Sequence, residues 1–156
     1  MCLVIDARGI TVKLKINGYQ PSRKEGWESQ WCRCDYSFCS DDWLHYSREN
    51  DEVLLSREVE ELEDSLTGLL NNEPEEITEL RCVEPDYVFR LHPKRDLRKD
   101  PSYTYIPPGY EFADIYVEWQ VFFWHDGLTD NFLTVTLGRS EIVQLRDYLS
   151  DVISRA

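Results

Sequence analysis

Residues 55–70 read Leu55-Ser56-Arg57-Glu58-Val59-Glu60-Glu61-Leu62-Glu63-Asp64-Ser65-Leu66-Thr67-Gly68-Leu69-Leu70. Val59, Leu62, Leu66, Leu69 and Leu70 recur at helical spacing and make one apolar stripe, so a helix is expected from Ser56 to Leu70 with its acidic side chains on the other faces. Ser56 is the expected N-cap, and the carboxylates of the first turn suit the positive end of the helix dipole. Asn71, Asn72 and Pro74 end the pattern. The same offsets return at Ile142, Leu145, Leu149, Val152 and Ile153, which predicts a second helix over Ser140 to Arg155. Each helix directly follows an apolar residue and a small one, Leu55-Ser56 and Leu137-Gly138, which hints at a strands-then-helix unit used twice.

Outward from these helices the period falls to two. Ile10, Val12, Leu14 and Ile16 alternate with Thr11, Lys13, Lys15 and Asn17, as expected of a strand with one buried face. Cys32, Cys34, Tyr36 and Phe38 share a face in a second run. A turn at Ser40 to Asp42 leads to a short third strand around Trp43 to Tyr46, and Glu52 to Leu55 reads as a fourth. Two more strands are expected near Ile77 to Val83 and at Tyr87, Phe89 and Leu91. A long one follows from Phe112 to Trp124, and after a turn at Asp126-Gly127 a last one carries Leu133, Val135 and Leu137. Residues 93–110, rich in Pro and charge, read as a long functional or mobile loop. Strands in runs, with helices at two separate points, favour an α+β architecture. The expectation is one domain over residues 1–156, with a single twisted antiparallel sheet packed by two main helices.

The charge is local. The chain carries a net charge of -13, and the stretch from Glu49 to Asp86 alone holds fourteen acidic residues against Arg57 and Arg81. The flanks, with sixteen acidic and fifteen basic residues, are nearly neutral. A balance of this kind argues against nucleic acid or an anionic membrane as partner, since both need a basic surface. No apolar run reaches the length of a membrane span, and Asp6 and Arg8 interrupt the start as no signal peptide would, so a soluble, cytoplasmic protein is expected. An acidic run is either a solvated, solubilising face or a surface complementary to a basic partner. On the second reading the helix-borne Glu60, Glu61, Glu63 and Asp64 are the candidate partner-binding residues.

No motif marks catalysis, a cofactor or a metal. The chain has no Gly-x-Ser-x-Gly elbow, no phosphate loop and no His-Glu-x-x-His helix. Cys32-Arg33-Cys34 with Cys39 invites a zinc reading, but one residue between the paired cysteines, on a strand, is the wrong spacing for a zinc knuckle, and buried thiols acting as small hydrophobes are expected instead. With no secretory signal, no disulfide is expected either. A hydrolase would need one of Cys32, Cys34, Cys39 or Cys82 beside His45, His92 or His125 in an open pocket. A carbohydrate-binding or small-ligand module would need several of Trp27, Trp31, Trp43, Trp119 and Trp124 exposed in one patch. The expectation is that they mostly fill core.

Ile16-Asn17-Gly18-Tyr19-Gln20, a polar loop, and Trp27-Glu28-Ser29-Gln30-Trp31 opening a strand resemble the start of the WapI-type immunity proteins, with Leu55-Ser56 opening the acidic helix and Leu133 to Leu137 preceding the last one. The specific likeness covers residues 10–40. Cys32 and Cys34 replace aliphatic residues of the family pattern, and the stretch 93–110 looks like an insertion. The resemblance implies a small bacterial cytosolic protein that neutralises the C-terminal domain of a polymorphic toxin. Many such toxins are nucleases with basic clefts, so a non-enzymatic immunity protein binding a basic toxin domain through the acidic segment is the expected function.

Overall fold

A computed structural model describes residues 1–22 and 30–155. Four antiparallel strands come first: β1 (Leu3–Ala7), β2 (Ile10–Asn17), β3 (Trp31–Ser40) and β4 (Leu44–Leu55), hydrogen-bonded in that order, and α1 (Ser56–Leu70) follows them. The chain then lays down β5 (Thr78–Arg81), β6 (Tyr87–His92), the two-residue strands β7 (Arg95–Asp96) and β8 (Phe112–Ala113), β9 (Tyr116–Trp124), β10 (Leu128–Leu137) and α2 (Arg139–Ser154). The second sheet has the order β10-β9-β6-β5, while β7 and β8 pair only with each other. Four strands in a meander and then a helix therefore occur twice in element order. The α+β expectation holds, but the single sheet is two four-stranded sheets and the small β7–β8 ribbon.

The two sheets share a core because most strands bury alternate residues toward the same interior, and β6 is buried along nearly its whole length. Phe38 of β3 meets Trp119 of β9 edge to face at 5.4 Å, and Tyr36 meets Tyr87 of β6 at 5.2 Å. Such T-shaped aromatic pairs add to the area they bury. Val59, Leu62, Leu66 and Leu69 of α1 join the same cluster, as do Ile142, Leu145, Leu149 and Val152 of α2. The helices are also tied by polar bonds: Ser150 Oγ of α2 donates to Glu63 Oε1 of α1 at 2.8 Å, and the Ile16 amide of β2 donates to the Tyr148 hydroxyl at 2.8 Å.

Several boundaries differ from the sequence reading. The strands expected at Trp43–Tyr46 and Glu52–Leu55 are one strand, β4, which stays paired with β3 through two register shifts. Asn50 there has φ 52° and its amide donates to Asp35 Oδ1 at 2.7 Å, so a polar bulge interrupts the alternation without ending the strand. The long strand from Phe112 breaks at Asp114, whose carboxylate accepts two bonds from Arg139, at 3.1 and 2.7 Å. Strand β1 was not anticipated, nor was the tight Arg8-Gly9 turn that joins it to β2 with both residues at positive φ. The turn at Asp126-Gly127 lies where expected, with φ values of 55° and 127°.

Candidate partner-binding surface

Ser56 does not cap α1. It is the first helical residue, buried, with its hydroxyl 3.6 Å from the Cys32 thiol, and Leu55 occupies the cap position. At this end the Ser56 amide donates to the Gln30 carbonyl at 2.8 Å and the Leu55 amide to Glu58 Oε2 at 2.9 Å, while Glu58 Oε1 accepts the Val83 amide from beyond β5 at 2.6 Å. Burial pushes the Glu58 carboxyl up, and its two backbone bonds work against that shift. One side chain thus pins the start of α1 to the segment that follows β5.

The four candidate residues divide into two kinds. Glu60 holds the strand-exit loop: its Oε1 accepts the Tyr19 hydroxyl at 2.7 Å and the Ser22 amide at 2.8 Å, and the Ser22 hydroxyl donates to Oε2. Burial works against its ionisation, but the bonds from Ser22 and Tyr19 outweigh this and leave its carboxyl below the usual range. Glu63 accepts from Ser150 and, at 3.5 Å, from Thr67. Glu61 and Asp64 are exposed and make no hydrogen bond or ion pair among the described residues.

Beside Glu61 the surface opens into a cleft of about 230 Å³ between α1 and β5. Leu54, Leu62, Leu80 and Phe89 line it, the buried Glu58 borders it, and the exposed Glu61 and Glu79 stand at its rim. β5 is the edge of its sheet, and Arg81 at the rim pairs with Glu79 at 3.2 Å. An apolar floor under carboxylates suits the stem and charged head of a lysine or arginine. The α1–β5 connection adds exposed Glu73, Glu75 and Glu76. The acidic run thus places exposed carboxylates on α1, on its exit loop and on β5.

The groups that other readings would need are dispersed. Cys32 and Cys34 are buried in the core, and burial raises both thiols. Cys39 and His45 are cross-strand partners, but on the outer face of the first sheet rather than in a cavity. His92 contacts Glu118 and stacks on Tyr116, with no cysteine beside it. No group of three or more His, Cys, Asp or Glu among the described residues could hold a metal ion. Trp119 is fully buried, Trp31 and Trp124 are half-buried, and Trp43 is 67% exposed at the β3–β4 turn, so these four form no aromatic platform. Trp27, with Glu28 and Ser29 of the motif that carried the resemblance, lies outside the described residues. No helix among the described residues is long and apolar enough to cross a membrane.

Sequence reasoning did not find Asp86. It is 2% exposed, and its Oδ2 accepts the Trp124 indole N–H at 2.7 Å, while Oδ1 is buried with no hydrogen-bond partner among the described residues. Burial pushes its carboxyl up to about 6. The pair spans 38 residues, and no local pattern announces it.

The family model described as the immunity protein WapI-like family matches residues 3–156, essentially the whole chain, and the chain belongs to that family. No curated protein matches it.

Proposed function

We propose that this member of the WapI-like immunity family binds and neutralises a basic toxin domain in the cytoplasm by covering its substrate cleft, without catalysis of its own. The observation that carries the reading is the cleft between α1 and β5, lined by Glu58, Glu61 and Glu79, with the exposed carboxylate of Asp64 three residues beyond Glu61 on the same helix. Family membership supports an immunity role and implies a toxin partner. The local sign of the charge supports a basic one, and a nuclease is the class of toxin whose cleft is built to hold phosphates. Carboxylates held on a helix take the place of those phosphates and exclude the nucleic acid.

Of the four candidates, Glu61 and Asp64 are the ones available to a partner, while Glu60 and Glu63 contribute to the field from inside intramolecular bonds. Glu61→Lys with Asp64→Lys should slow association with an inactivated cognate toxin domain and weaken the salt dependence of that rate, since exposed charges act over about a Debye length, roughly 8 Å at physiological ionic strength. The fold should be unaffected, because neither side chain is bonded within the described chain. An association rate unchanged by both substitutions and by salt would return the acidic surface to a solubility role.

A further inference from the structure

β5 has a strand on one side only. It pairs with β6, with Glu79 opposite Arg90 and Arg81 opposite Val88. The Cys82 amide donates to the Tyr87 carbonyl at 3.3 Å, the next step of that register, and in an antiparallel pair the residues that bond to the partner strand alternate with those that do not. Leu80 and Thr78 therefore turn their N–H and C=O groups toward β6, and Glu79 and Arg81 turn theirs away from it. The far side of β6 has the complementary phase, with the Phe122 amide donating to the Asp86 carbonyl at 2.9 Å. Among the described residues the outward backbone groups of Glu79 and Arg81 meet no partner, and both residues are exposed.

This edge runs along the cleft of about 230 Å³ between α1 and β5. The amide of Val83, two residues beyond Arg81, is taken by Glu58 Oε1 at 2.6 Å, so the open edge faces α1. Buried Leu62 and Phe89 and half-buried Leu80 line the cleft, with Glu58, Glu61 and Glu79 against one cation, Arg81. That cation is engaged by Glu79 at 3.2 Å. Open backbone donors and acceptors beside an apolar groove suit an extended chain, because main-chain bonds hold an added strand and pockets for its alternate side chains select it.

From this geometry we infer that an extended segment of the basic partner adds to the second sheet along β5, pairing with the outward groups of Glu79 and Arg81 and laying a lysine or arginine into the cleft. The inference rests on the function proposed above and names how that surface binds. Successive side chains of an added strand point to opposite faces. The one on the α1 side runs its methylene stem over Leu62 and Leu80 and carries its charge to Glu61. A second copy of this chain is the other strand that could pair here, and charge opposes it, since two such edges would bring the three cleft carboxylates of each copy together.

The test follows backbone amide exchange by NMR in the free chain and in its complex with an inactivated cognate toxin domain. In the free chain the Glu79 and Arg81 amides should exchange well before the Leu80 amide, and binding should slow both by at least about tenfold. Arg81→Pro removes one outward N–H and no bond to β6, so it should fold as the unaltered chain does and raise Kd by at least about tenfold. Arg81→Ala keeps that N–H and removes the cation, so it should bind at least as tightly as the unaltered chain. A complex in which the Glu79 and Arg81 amides exchange at their free rates would overturn the inference, as would equal affinity of folded Arg81→Pro and Arg81→Ala chains. Should Arg81→Pro fail to fold, the exchange measurement decides alone. Slow exchange at these amides in the free chain that quickens on dilution would make a second copy the occupant and would also overturn it. If the unaltered chain does not bind the toxin domain, the proposed function falls and this inference with it. If it binds while the two amides stay open, the strand addition alone is refuted.

Discussion

Replacing Asp86 by Asn should stabilise the protein at neutral pH. Asn keeps the shape of the side chain, and its oxygen can still accept the Trp124 indole N–H, while the buried charge disappears. The folded carboxyl is raised by burial from 3.8 to about 6, with Asp51 and Glu84 adding repulsion and the Trp124 bond and Arg48 partly offsetting both. A shift of roughly 2 units at about 1.4 kcal/mol each makes the ionised form cost up to about 3 kcal/mol relative to the protonated one. Because the folded state holds this proton more tightly than the unfolded chain, its contribution to stability is greatest below 3.8, declines as pH rises toward about 6, and is fully lost above that.

The substitution removes that dependence. Urea unfolding at pH 8, 6 and 4, followed by Trp fluorescence, should show Asp86→Asn more stable than the unaltered chain by up to about 3 kcal/mol at pH 8, with the difference closing toward pH 4. The difference between the two proteins is the quantity to read. Glu60 and Asp114, whose carboxyls lie below the usual range, give both proteins the opposite slope as they are protonated in acid. A variant no more stable at pH 8, or a difference that does not change with pH, would refute the assignment of a charged, uncompensated Asp86 at this position.

The helix stripes should behave as core: Leu66→Ala or Leu149→Ala should cost about 2–5 kcal/mol in urea unfolding, since both side chains are fully buried. Glu60→Gln should weaken the bonds to Tyr19 and Ser22 and speed hydrogen exchange at the Ser22 amide while leaving that of the Ile16 amide, held by Tyr148, unchanged. A thiol reagent on the folded protein should label the exposed Cys2 well before Cys32 and Cys34, whose burial also raises their thiols; equal labelling rates would show that the core around β3 opens readily.

Local periodicity made both helices and most strands legible, because an amphipathic element writes its own spacing. It failed where the chain departs from that spacing for a local reason. Ser47 to Asp51 are polar and exposed or half-buried, so β4 read as two strands, although Asp35 holds Asn50 in a bulge and the ladder continues. Pairing between distant strands is not written in any one segment, and nothing local distinguished one curved sheet from two facing sheets joined by Phe38–Trp119 and Tyr36–Tyr87. The acidic run was plain in the sequence, but which of its members are free was not. That depends on Tyr19, Ser22, Val83 and Ser150, all outside the helix that carries the carboxylates.

Those partners also explain why so much negative charge can be held on one side of a small domain. Glu58 binds the segment beyond β5, Glu60 the loop beyond β2, Glu63 the second helix, and Asp86 the end of β9. Each of these four carboxylates reaches an N–H or O–H on another element: Glu58 and Glu63 join the two strands-then-helix halves, Glu60 and Asp86 tie elements within one half, and Glu61 and Asp64 stay in solvent. Bonds of this kind are roughly twice as strong as neutral ones. Those made by Glu58, Glu60 and Glu63 offset part of the repulsion that the crowded charges create and fix α1 against the rest of the fold, whereas Asp86 stays a net cost when ionised. A recognition surface gains from that fixity, because side chains presented on an immobilised helix lose less freedom when a partner docks. The acidic segment is thus built in two layers, an inner one that holds α1 in place and an outer one that can face a basic partner. Substitutions in the inner layer should therefore be read first by stability, and those in the outer layer first by association rate.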